Sequence, residues 1–156
     1  MKYAIVIPAR YNSTRFPGKP LIDIKGKTMI QRVYEKCLLS VNSELIYVAT
    51  DDKRIELHCK ENDIKCIMTS ESCLTGTDRI GEVVQKIDAD FFINVQGDEP
   101  FVQRAPLEKL LDVFKGESGK SVQVASLMQV LKEQAFIQDP NYVKVVVDRN
   151  NNALLF

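Results

Sequence analysis

Lys2-Tyr3-Ala4-Ile5-Val6-Ile7-Pro8 carries five consecutive apolar residues and stops at a proline. A run this short, with no alternation of apolar and polar positions, fits a strand buried on both faces. Pro8 has no N–H to give to a ladder, so it marks the exit from strand to loop. A strand apolar on both sides needs a layer of helices on each.

The helices are there. Thr28 opens the first, with Met29, Ile30, Val33, Tyr34, Cys37 and Leu38 on one face and Gln31, Arg32, Glu35 and Lys36 on the other. Residues 45–49 read as a second strand, Asp51 or Asp52 as the cap of a second helix, and residues 64–68 as a third strand. Thr75-Gly76-Thr77-Asp78 starts another helix with Ile80, Val83, Val84 and Ile87 as its stripe. Residues 91–95 form a fourth strand, and Leu107, Leu110, Leu111 and Phe114 mark a fourth helix. Strand and helix alternating four times predict a doubly wound α/β fold, Rossmann-like, with a mostly parallel sheet and helices on both faces. Ligands in such sheets bind beyond the carboxyl ends of the strands. Further on, residues 122–128 and 143–147 are mostly apolar, and Asp148-Arg149-Asn150-Asn151-Asn152 separates the latter from Ala153-Leu154-Leu155-Phe156. The last two runs read as a C-terminal hairpin that looks truncated. Lys115-Gly116-Glu117-Ser118-Gly119-Lys120 is a linker-like stretch, yet the length suits one domain over residues 1–156.

Charge excludes some functions. Lys+Arg and Asp+Glu are both 21, so no global field favours nucleic acid or an anionic membrane. The apolar runs are too short to span a bilayer and no leader pattern precedes them, so a cytoplasmic protein is expected. Cys37, Cys59, Cys66 and Cys73 form no Cys-x-x-Cys pair and read as reduced structural thiols, while His58 reads as solvated.

Within this balance the segment from Lys2 to Lys27 holds six cations to one acid, Asp23. Arg10, Arg15 and Lys19 crowd into the loop after the first strand, with Ser13 and Thr14 between them and Pro8, Pro17 and Pro20 restricting the backbone. The loop is neither a Walker A loop nor a Gly-x-Gly-x-x-Gly turn, since Gly18 is its only glycine. It is either a solvated basic loop or a phosphate site. Asn94-Val95-Gln96-Gly97-Asp98-Glu99-Pro100 follows the fourth strand. It is either an acidic turn or a carboxylate for Mg²⁺, which takes one or two protein carboxylates plus substrate phosphates. Thr75-Gly76-Thr77-Asp78-Arg79 is either an ordinary cap or an anion site at a helix N-terminus, with Arg79 adding a bidentate contact. Together on one rim, the three describe a metal-dependent enzyme acting on a nucleoside triphosphate.

The motifs also carry a resemblance. Ile7-Pro8-Ala9-Arg10-Tyr11-x-Ser13-Thr14-Arg15-x-Pro17-Gly18-Lys19-Pro20-Leu21, Ala49-Thr50-Asp51-Asp52, Gly76-Thr77-Asp78-Arg79, Asn94-Val95-Gln96-Gly97-Asp98-Glu99-Pro100 and Asp139-Pro140-Asn141 stand in the order found in the CMP-Kdo synthetase (3-deoxy-manno-octulosonate cytidylyltransferase) family, which this chain resembles. The resemblance implies attack of the anomeric hydroxyl of the sugar acid Kdo on the α-phosphate of CTP, releasing pyrophosphate, for lipopolysaccharide synthesis. It implies Arg10, Lys19 and Asp98 as catalytic residues, with Asp98 also holding Mg²⁺. Pro8, Ala9, Arg10, Ser13, Lys19, Thr75 and Gly76 would bind the nucleotide, and Arg79 and Gln96 would face the sugar acid or its phosphate junction. Cys73 stands where the family commonly has histidine, and no role passes to it. Family members run past Phe156, where further sugar contacts, a second metal-binding aspartate and homodimer contacts lie, so the chain is expected to be the family's N-terminal portion. A cytidylyltransferase for a neuraminate-like or amino-substituted acid, or a truncated nucleotide-binding module without turnover, are the alternatives.

Overall fold

The first strand is central. In the computed structural model, which describes residues 1–12, 16–115, 119 and 121–156, β1 (Tyr3–Pro8) pairs in parallel with β2 (Ile46–Thr50) on one side and β4 (Phe91–Asn94) on the other. β3 (Cys66–Met68) adds outside β2, giving the order β3-β2-β1-β4. Ile5 sits opposite both Ile46 and Ile93, and Val6 opposite Tyr47 and Asn94. The side-chain period of two therefore sends the isoleucines to one face and Val6 to the other.

Helices cover both faces, as a strand without polar alternation requires. α1 (Met29–Cys37), α2 (Lys53–Glu61) and α4 (Arg104–Val113) supply Ile30, Val33, Ile55, Cys59, Leu107 and Leu111 to the core formed on Ile5, Ile7, Ile46, Val48 and Ile93. α3 (Gly76–Val84) lies on the opposite face, where Val83 packs on Val6 and Ala49. Burying each of these isoleucines is worth about 1.5–3 kcal/mol. The caps fall where expected: the Thr28 side chain accepts from the Gln31 N–H, and Asp52 accepts from the Arg54 N–H. His58 is not merely solvated. It is half-buried, with its Nε2 2.8 Å from Thr28 Oγ1, and so ties α2 to the cap of α1.

The first three strands run outward in one direction, and α3 then crosses back to place β4 on the far side of β1. That reversal opens a crevice beyond the carboxyl ends of β1 and β4, where a parallel sheet takes its ligands.

The chain gathers into two compact units, Met1–Val122 and Gln123–Phe156. The second holds a short α5 (Gln134–Gln138), for which the sequence offered no sustained periodicity, and the expected hairpin, β5 (Val146–Val147) antiparallel to β6 (Ala153–Leu155). Its turn is organised by Asp148, whose carboxylate accepts from the Asn150 and Asn152 N–H groups at 2.8 Å. Among the described residues, 122–128 pair with no strand despite their mostly apolar pattern. Ser13, Thr14, Arg15 and most of the linker-like stretch, 116–118 and 120, lie outside the described residues.

Candidate active site

Two backbones leave the sheet almost in contact. A Cβ placed on Gly97 would lie 2.8 Å from the Pro8 carbonyl oxygen and 3.3 Å from Ile30 Cδ1, so only glycine fits where the exits of β1 and β4 pass each other. Ala9 is held by donating its N–H to the Ala49 carbonyl at 2.8 Å. Gly76, at the start of α3, closes the third side, since a Cβ there would meet Pro8 Cγ at 3.1 Å and Gln96 Oε1 at 3.7 Å.

These three segments enclose a cleft of about 730 Å³, lying entirely within the first unit. Pro8, Ala9, Arg10 and Lys19 reach it from the first loop, Thr75, Gly76 and Arg79 from α3, and Gln96 and Asp98 from the loop after β4. Of the residues singled out from sequence for this loop, Ser13, Thr14 and Arg15 lie outside the described residues. Phe16, Pro20, Cys73, Leu74 and Gly97 also line the cleft.

Two of the cleft cations, Lys19 and Arg79, are held in ion pairs. Lys19 Nζ lies 2.6 Å from Asp98 Oδ2, with the two side chains 36% and 50% exposed. Lys19 starts a 3-10 turn (Lys19–Leu21) behind Gly18, whose left-handed φ of 74° no β-carbon tolerates easily. The Gly18 N–H donates to the Tyr11 carbonyl at 2.8 Å and so draws the two ends of the loop together. Arg10 is exposed on the same wall.

Arg79 is placed differently from the sequence expectation of a residue free to grip a ligand. It is 3% exposed, with Nη2 2.8 Å from Asp51 Oδ2 and Nη1 donating to Thr69 Oγ1. It thus ties α3 to the ends of β2 and β3, while part of it still borders the cleft. Asp51 is separated from Arg79 by 28 positions, and nothing local in the sequence links them.

Thr75 is a full capping box: its Oγ1 accepts from the Asp78 N–H at 3.1 Å, and Asp78 Oδ2 accepts from the Thr75 N–H at 2.8 Å. Hydrogen bonding from the Thr75 hydroxyl, and then from the Thr75 backbone N–H, holds the Asp78 carboxyl below the ordinary carboxylate range. A carboxylate already at this helix end reduces what the end offers to an anion, so the cations of the first loop carry more of the positive field. Cys73 donates its thiol to Glu82 Oε1 at 3.2 Å. Burial, reinforced by Glu82, pushes that thiol up, which makes it a poor nucleophile. Burial also pushes Cys37 up to about 12.

A parallel sheet whose switch-point crevice sets a basic loop against, among the described residues, a single cleft carboxylate defines an α/β protein built to take an anionic ligand at the ends of its strands. The chain belongs to the cytidylyltransferase family, whose pattern matches residues 4–156. It is 45% identical over 159 residues to an 8-amino-3,8-dideoxy-manno-octulosonate cytidylyltransferase of Shewanella pealeana, covering all of this chain and 64% of that protein. It is likewise 45% identical over 156 residues to a 3-deoxy-manno-octulosonate cytidylyltransferase of Flavobacterium johnsoniae, again with 100% and 64% coverage. Among solved structures it resembles CMP:2-keto-3-deoxy-manno-octonic acid synthetase complexed with CTP, at a TM-score of 0.92 and 44% identity, covering 99% of this chain and 63% of that one. The chain therefore spans a little under two thirds of the length of these relatives.

Proposed function

We propose that the chain is the nucleotide-binding portion of a 3-deoxy-manno-octulosonate cytidylyltransferase, joining a sugar acid to CMP from CTP with release of pyrophosphate. The observation that carries this reading is the single cleft into which Arg10, Lys19 and Asp98 converge from two strand ends. The family pattern spans both compact units, which supports treating residues 1–156 as one functional domain. The amino-substituted acid is the second reading, favoured by the name of the Shewanella relative.

In this reading Arg10 and Lys19 face the triphosphate and neutralise the charge that grows on the leaving pyrophosphate. Pro8 and Ala9, held rigidly by the β1 exit, shape the nucleotide wall together with Thr75 and Gly76. Gln96, whose Nε2 already donates to Asn94 Oδ1 at 3.3 Å, orients toward the sugar acid. Attack by the sugar hydroxyl needs no side-chain nucleophile, because positioning and charge compensation suffice.

Mg²⁺ fits the donor set. No group of three or more His, Cys, Asp or Glu able to hold a metal occurs among the described residues, and Asp98 is the cleft's only carboxylate. A lone carboxylate suits an ion that keeps several waters and takes its other ligands from phosphates. Bound there with the nucleotide, Mg²⁺ would supply charge neutralisation at the phosphates. No described helix is long and apolar enough to cross a membrane; the reading places the protein in the cytoplasm, where CTP is, acting as a homodimer.

The test is pyrophosphate release by the purified chain with CTP, Mg²⁺ and either Kdo or its 8-amino analogue, beside Asp98→Asn and Lys19→Ala. Release that both substitutions abolish supports the enzyme. CTP binding without release points to a nucleotide-binding module, and indifference to both substitutions sinks the site assignment.

A further inference from the structure

The residue after Arg10, Tyr11, carries a contact with α2 that plays no part in the proposed chemistry. Arg54, in the first turn of α2, places its guanidinium carbon 3.3 Å from the centroid of the Tyr11 ring. It is not a side chain resting there by chance. Asp52 grips it from below, with Arg54 Nε 2.9 Å from Oδ1 and Nη2 2.6 Å from Oδ2, and the same Oδ1 accepts the Arg54 backbone N–H at 2.9 Å. That fork fixes the plane of the guanidinium, and Asp52 is itself fixed as the cap of α2.

What the fork holds is the hinge of the basic loop. Tyr11 directly follows Arg10, and its carbonyl accepts from the N–H of Gly18, which directly precedes Lys19. Gly18 also lies against the ring itself: a Cβ there would meet Tyr11 Cζ and its hydroxyl oxygen at 3.1 Å. The Tyr11 ring is thus clasped between the α2 terminus and the Gly18 backbone, and the two hydrogen-bonded residues, Tyr11 and Gly18, each adjoin a cleft cation in sequence. Arg54 does not itself line the cleft.

We propose that Arg54 is a positioning residue for polyphosphate recognition: stacked on Tyr11 and braced by Asp52, it holds the Tyr11–Gly18 hinge so that Arg10 and Lys19 enter the cleft together. This rests on the reading of Arg10 and Lys19 as triphosphate contacts. The energy passes through the ring face rather than through the Tyr11 hydroxyl, and it reaches only the ligand's phosphates.

The test is calorimetric titration of the full chain with CTP and with cytidine, in the presence of Mg²⁺. Arg54→Ala weakens CTP binding about two- to fivefold, the factor that corresponds to one exposed cation–π contact, and leaves cytidine binding unchanged. Tyr11→Leu does the same, Arg54→Ala combined with Tyr11→Leu is no worse than either, and Tyr11→Phe, which keeps the ring, restores the affinity. Equal losses for CTP and cytidine, or additive losses in the double variant, overturn the proposal. So does an Arg54→Ala protein that binds CTP as tightly as the parent chain while Lys19→Ala is impaired, a result that spares the triphosphate reading. Failure of Lys19→Ala to weaken CTP binding removes that reading and this inference with it.

Discussion

Asp98→Asn is expected to change CTP affinity in opposite directions with and without Mg²⁺. In the structure Asp98 is bound to Lys19 at 2.6 Å, so a triphosphate that takes Lys19 must first displace the carboxylate. Both side chains are more than a third exposed, which limits the pair to about 0–1 kcal/mol after solvent screening. Replacing the carboxylate by an amide removes that competitor and a negative charge facing the phosphates. CTP binding in EDTA should therefore tighten by up to about fivefold. With Mg²⁺ present the same substitution removes the one carboxylate that lines the cleft among the described residues, and binding weakens. Lys19→Ala, by contrast, loses a charge-assisted hydrogen bond of about 1.5–3 kcal/mol in both media and weakens binding about ten- to a hundredfold. Isothermal titration of each variant, once in EDTA and once in millimolar Mg²⁺, measures all of this directly. An Asp98→Asn effect of the same sign in both media would falsify the exchange of Asp98 from lysine to metal.

Gly97→Ala is expected to destabilise the protein by about 1–3 kcal/mol, because its Cβ at 2.8 Å from the Pro8 carbonyl oxygen forces two strand exits apart; urea unfolding reads the shift, and an unchanged midpoint contradicts the close approach. Arg79→Met leaves Asp51 partly buried without its partner and should cost about 3 kcal/mol, while adding Asp51→Leu should recover much of that loss in the same measurement. The Asp78 carboxyl is held below the usual range by Thr75, so its contribution is present above the ordinary carboxylate pKa and disappears as pH falls through the lowered value. The thermal midpoint of Asp78→Asn, followed from neutral pH to pH ~3, should accordingly fall less steeply than that of the parent chain.

The elements of the first unit were legible because each carries a local signal. The unbroken run at Tyr3–Ile7, the cap at Thr28, the capping box at Thr75 and Asp78, and the stripe through Ile30 and Val33 follow from short-range periodicity and hydrogen bonding. Where such a signal is weak nothing was expected: α5 spans only five residues, too few for a helical stripe, and the mostly apolar residues 122–128 find no partner ladder among the described residues. His58 was misread because its partner Thr28 lies 30 positions away.

Sequence by itself determined that this is a parallel α/β chain with cations after its first strand and a carboxylate after its fourth, since burial on both faces and chain order are properties of the residues in line. It could also name the family, because the motifs are runs of neighbours. The tertiary structure alone decided which charges meet. It set Asp98 against Lys19 across 79 positions, paired Arg79 with Asp51 at the edge of the cleft, and laid Arg54 on Tyr11. Such pairings depend on which strand ends the sheet order makes adjacent, and a register of neighbours along the chain does not contain that order.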